Sequence, residues 1–162
     1  MSEFIFGEIL SQSSKETLSL LTTYMADYPF SFRFNLHKDD YFCKILSAEC
    51  CGLPFVITDS NIDNTAELLL HRDSIKYDEG LLPECYHKLL RKSLSERITL
   101  IVNAITDVLS MLDACEAFIV LGDGGGVPEE KYQCSLDELH DKLLALLQND
   151  QPFVTGCYRV HR

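Results

Sequence analysis

Residues 93–112 carry the sequence SLSERITLIVNAITDVLSML, and this stretch predicts the central element of the fold. Ser93 and Glu96 form a capping box, a pattern in which two side chains satisfy backbone N–H groups at the start of a helix. Behind the box, residues 98–112 are apolar on most faces, and Asp107 is their single charged residue. A helix that is apolar on most faces is buried on several sides. We therefore expect a core helix around which the remaining elements pack.

The chain before this helix predicts an amphipathic helix, a set of strands and two more helices. A capping box at Ser13 and Glu16, leucines at helical spacing and a stop at Pro29 indicate a helix over residues 14–28. Three strands follow it and suggest an antiparallel meander. These strands are predicted over residues 30–36, 41–46 and 55–58. The two further helices are predicted over residues 61–71 and 83–94.

The chain after the core helix predicts a β-α-β unit. An apolar run over residues 117–121 ends at the glycine loop 122–126 and predicts a buried strand. Ser135 and Glu138 form a third capping box ahead of an amphipathic helix, and residues 153–160 predict a closing strand. Strands joined through a helix are usually parallel, with a right-handed connection. The sequence therefore predicts a single α+β domain of all 162 residues, in which a mixed β-sheet (antiparallel meander plus C-terminal β-α-β unit) packs with about five helices.

The composition is that of a chain that folds without disulfide bonds. The chain has 162 residues, of which 46% are apolar and 24% are charged. A single core in a chain of this length buries enough surface that stability needs neither disulfide bonds nor a structural metal. The seven cysteines are an odd number, which favours reduced thiols and a cytoplasmic location. The first ten residues carry two glutamates and no basic start, so no secretory signal is expected. No apolar stretch reaches the ~18 residues of a membrane span.

The acidic charge is unevenly distributed and predicts the kind of partner. The formal net charge is -11, which disfavours nucleic acid and anionic membrane surfaces and favours a basic protein partner. Between Asp107 and Asp150, ten acidic residues stand against two lysines, so this segment carries eight of the eleven net negative charges. A partner-binding surface is predicted from Asp123, Glu129, Glu130, Tyr132, Asp137 and Asp141. The alternative is helix electrostatics, since carboxylates in the first turn of a helix favour its positive dipole end.

The motifs in the chain predict no catalytic, cofactor-binding or metal-ligating residues. The glycine loop lacks the lysine of a phosphate-binding loop and the third glycine of a dinucleotide fingerprint. The spacing of cysteines and histidines fits no zinc pattern. Cys134 precedes the third capping box, where a helix dipole would lower the pKa of its thiol, and His140 lies in the same segment. This pair is the candidate for nucleophilic catalysis if the protein is an enzyme.

In length, charge and fold class the whole chain resembles the immunity proteins of bacterial toxin and immunity pairs, including those of contact-dependent growth inhibition. The resemblance implies a cytoplasmic inhibitor that binds a basic toxin domain, often a nuclease, and covers its active site or an adjacent surface. An acidic face would steer such a partner and substitute for the phosphates that it normally binds. Two other classes stay open: a small cytosolic enzyme with a dispersed Cys/His site, and an oligomeric regulatory or scaffold protein.

Overall fold

The fold is built from six strands, three α-helices and a 3-10 helix in a computed structural model of the chain. The structure describes residues 4–11, 15–34, 44, 46, 52–58, 89, 91–122, 131–148 and 156–162. In chain order the elements are β1 (Phe4–Ile9), α1 (Lys15–Tyr24), the 3-10 helix (Met25–Asp27), β2 (Ser31–Arg33), β3 (Leu53–Thr58), α2 (Leu94–Met111), β4 (Glu116–Gly122), β5 (Lys131–Ser135), α3 (Leu136–Gln148) and β6 (Gly156–His161).

The strands form one mixed sheet in the order β2-β3-β1-β4-β6-β5. Neighbouring strands are antiparallel, except for the pair of β6 and β5, which is parallel. The predicted α+β class and mixed sheet are confirmed. The predicted meander is confirmed only for β2 and β3, which are antiparallel neighbours. The prediction of its middle strand over residues 41–46 is wrong at the two residues of this range that the structure describes, because the backbone is helical at Lys44 and Leu46.

The β-α-β unit is present, but its first strand is not the one predicted. The strand predicted over residues 117–121 is β4, which runs antiparallel to β6 and directly beside it. The parallel partner of β6 is β5, which leads straight into α3. The first three residues of β5 are exposed at the margin of the sheet, so β5 lacks the apolar pattern from which a strand is predicted. The strand β1 was also not predicted, because a glutamate interrupts its apolar sequence FIFGEI.

The predicted helix starts are confirmed for α2 and α3. Ser93 N–H donates to Glu96 Oε2 at 2.7 Å, and Glu96 N–H donates to Ser93 Oγ at 3.2 Å. The same two bonds join Ser135 and Glu138 at the start of α3. Asp113, with φ of 48°, closes α2 in the left-handed region that commonly ends a helix.

The predicted number of about five helices is not supported within the described residues, which hold three α-helices and one 3-10 helix with defined bounds. The helix predicted over residues 14–28 corresponds to α1 and the 3-10 helix, and the backbone becomes extended at Tyr28. The helix predicted over residues 61–71 lies outside the described residues. The helix predicted over residues 83–94 is described at Leu89 and has ended by Ser93, the N-cap of α2.

All three α-helices pack on one face of the sheet. Eight residues of α2 are buried, and its apolar side chains share a cluster with α1, α3 and the sheet, which confirms α2 as the central core helix. The opposite face of the sheet, called the second face, carries its own apolar cluster of Phe6, Leu46, Val56, Phe118, Val120 and Cys157. Among the described residues, no helix has both the length and the apolar character that crossing a membrane requires.

Candidate functional site

Three of the six predicted partner-binding residues lie on β5 and α3. Tyr132 is in β5, and Asp137 and Asp141 are in α3. The other three, Asp123, Glu129 and Glu130, lie outside the described residues. We use the name β5-α3 surface for the exposed residues Tyr132, Asp137 and Asp141, which lie on two consecutive elements of the chain.

Tyr132 supplies an aromatic ring that is both exposed and held in place. The residue is 42% exposed, and its ring stacks on Tyr158 with the centroids 5.6 Å apart and the planes at 28°. Tyr158 is buried in β6, and burial, with a smaller effect of Tyr132, raises the pKa of its hydroxyl to about 12. A side chain that is already ordered loses little conformational entropy when a partner covers it. Tyr132 therefore has the properties of an anchor residue at a protein interface.

The two aspartates present negative charge one helical turn apart on α3. Residues four positions apart share a helix face, so Asp137 and Asp141 project to the same side. Both residues are exposed, and the side chain of Asp141 is 87% exposed. Asp137 stands in the first turn, where the helix dipole favours a carboxylate. The dipole acts within the first turn only, so it does not account for Asp141 in the second turn.

Glu138, between these aspartates in the sequence, belongs to the helix cap. Its Oε2 accepts a hydrogen bond from Ser135 N–H at 2.9 Å. This backbone bond, with a further bond from the Ser135 side chain, holds the pKa of the Glu138 carboxyl below its ordinary value. Local helix stabilisation explains this carboxylate without any partner.

His140 connects α3 to the first turn of α2. Its Nε2 lies 3.1 Å from Ser95 Oγ and 3.1 Å from the Ser95 carbonyl oxygen, and its Nδ1 lies 3.2 Å from Asp141 Oδ1. Ser, His and Asp in this order have the arrangement of a catalytic triad. A carbonyl oxygen only accepts hydrogen bonds, so a bond from Nε2 to the Ser95 carbonyl requires the tautomer that carries its hydrogen on Nε2. In that tautomer the ring has no lone pair at Nε2 with which to take the Ser95 proton. The contact, which joins residues 45 positions apart, had no signal in the sequence.

Cys134 does not have the environment predicted for a nucleophile. The residue is 1% exposed and belongs to the apolar cluster that the α-helices share with the sheet. Burial raises the pKa of its thiol. The sequence position at a helix N-terminus predicts a lowered pKa, but desolvation is the larger effect here. An activated cysteine needs a thiolate in a partly exposed, electropositive site. The hydrogen bonds of the neighbouring His140 ring go to Ser95 and Asp141.

A buried carboxyl group in β1 is the functional candidate that sequence analysis missed. Glu8 is 3% exposed, and its Oε2 has no hydrogen-bond partner among the described residues. Burial raises its pKa from 4.5 to about 7. Ionisable groups perturbed in this way cluster at functional sites. The sequence feature that could have indicated this site is the single glutamate in an otherwise apolar segment.

Within the part of the chain that the structure describes, no three His, Cys, Asp or Glu side chains lie close enough together to hold a metal ion. Comparisons with protein-family models, with curated proteins and with solved structures found no match.

Proposed function

We propose that this protein is a cytoplasmic immunity protein that binds and neutralises a basic toxin domain through the β5-α3 surface. The observation that supports the proposal is the combination of an exposed, stacked ring at Tyr132 with exposed carboxylates at Asp137 and Asp141. The partner class is a protein with a cationic face, such as a nuclease whose substrate carries phosphates. An acidic surface occupies the position that those phosphates would take.

The ring and the carboxylates contribute to binding in different ways. Tyr132, which Tyr158 already orders, supplies contact area at a small entropic cost and so controls the dissociation rate. Attraction between the carboxylates and a cationic partner accelerates encounter, and salt screens this attraction. The net charge of -11 acts in the same direction. We therefore expect Asp137 and Asp141 to control the association rate.

The two alternative classes depend on other residues. An enzyme would need a reactive Cys134 or a His140 ring that is free to act as a base, whereas the Cys134 thiol is buried with a raised pKa and His140 Nε2 lies 3.1 Å from the Ser95 carbonyl oxygen. An oligomeric scaffold would need an exposed apolar face. Leu20 and Tyr24, one turn apart on α1, are exposed by 67% and 52% and form the strongest candidate for such a face.

The first test is whether the gene directly upstream encodes a large secreted protein that ends in a basic domain. Binding to that domain, prepared in an inactive form, is then measured. Stopped-flow kinetics are recorded at about 50 mM and about 300 mM NaCl, between which screening changes strongly. Asp141→Lys is expected to lower the association rate constant about tenfold at low salt and to change dissociation less than about twofold. Tyr132→Ala is expected to accelerate dissociation about thirtyfold, or about 2 kcal/mol.

Asp27→Lys is the matched control for charge reversal. It makes the same change in net charge at an exposed residue of the 3-10 helix, outside β5 and α3. We expect it to slow association by less than about twofold. Equal slowing by both charge reversals, or normal binding by both Asp141→Lys and Tyr132→Ala, would reject the β5-α3 surface. An oligomer in light scattering with Leu20 at its interface would favour the scaffold class instead.

A further inference from the structure

We draw no further inference here: the strongest candidate, the buried carboxyl group of Glu8 on the second face of the sheet, has a raised pKa, but nothing in the described part of the chain shows what covers it or which group it would bind.

Discussion

Replacement of Glu8 by glutamine is expected to increase the free energy of unfolding of the whole protein at alkaline pH. Glutamine keeps nearly the same shape as glutamate and carries no charge. Burial raises the pKa of Glu8 from 4.5 to about 7, and one pKa unit corresponds to about 1.36 kcal/mol. The buried carboxylate therefore costs about 3 kcal/mol at a pH well above its folded pKa.

The sign of the pH dependence follows from proton binding. Between pH 4.5 and about 7, the folded chain holds the Glu8 proton and the unfolded chain does not. The contribution of Glu8 to stability is therefore complete below its unfolded pKa and is lost as the pH rises through its folded pKa. From about pH 5 to about pH 8 the loss is about 2 to 3 kcal/mol. Glu8→Gln does not incur this loss, so its advantage over the unmodified chain grows by the same amount.

Urea denaturation followed by circular dichroism at these two pH values measures the difference. Glu116→Gln is the matched control, since Glu116 lies on the same face of the sheet in a partly exposed pair with Arg159. Such a pair contributes at most about 1 kcal/mol, and we expect its contribution to be the same at both pH values. An advantage of Glu8→Gln that stays constant or shrinks from pH 5 to pH 8 would refute the reasoning.

Two further substitutions test contacts that hold the fold together, each by urea denaturation with a matched control. Gly7→Ala is expected to lower the free energy of unfolding by about 3 kcal/mol or more, because a Cβ atom there would overlap a carbonyl oxygen of β4. The control is Gly122→Ala, where the added Cβ atom meets no atom within 4 Å, and its cost should be less than about 1 kcal/mol. A similar cost at both glycines would contradict this explanation. Tyr28→Phe is expected to cost about 1.5–3 kcal/mol, because the Tyr28 hydroxyl donates to Asp107 Oδ2 at 2.6 Å, while Tyr24→Phe changes an exposed tyrosine and should be nearly neutral. Equal effects at the two tyrosines would show that this hydrogen bond does not stabilise the fold.

Features that depend on near neighbours in the chain could be predicted from the sequence. The capping boxes that begin at Ser93 and Ser135 place donor and acceptor groups three residues apart, so local geometry alone positions the start of each helix. The buried core helix followed from an apolar run without a polar face. Of the candidate surface, Asp137 and Asp141 were predictable, because the polar face of an amphipathic helix lies toward solvent.

Features that join distant segments could not be predicted in the same way. Most of β5 is exposed, so its sequence does not distinguish it from a loop until it pairs with β6. The stack of Tyr132 on Tyr158 exists only because this pairing aligns the two residues. The sequence shows Glu8 only as a single glutamate in an apolar segment, and its burial follows from the strands on both sides of β1 and the packing of Gly52.

The sequence by itself determined where the helices α2 and α3 begin, which helix occupies the core, and the acidic character of the chain. These properties depend on hydrogen bonds over three or four residues and on composition. The tertiary structure decided the strand order, the parallel partner of β6 and the raised pKa of Glu8. Strand pairing and desolvation depend on contacts between segments that are far apart in the chain, so they cannot be predicted from a short stretch of sequence.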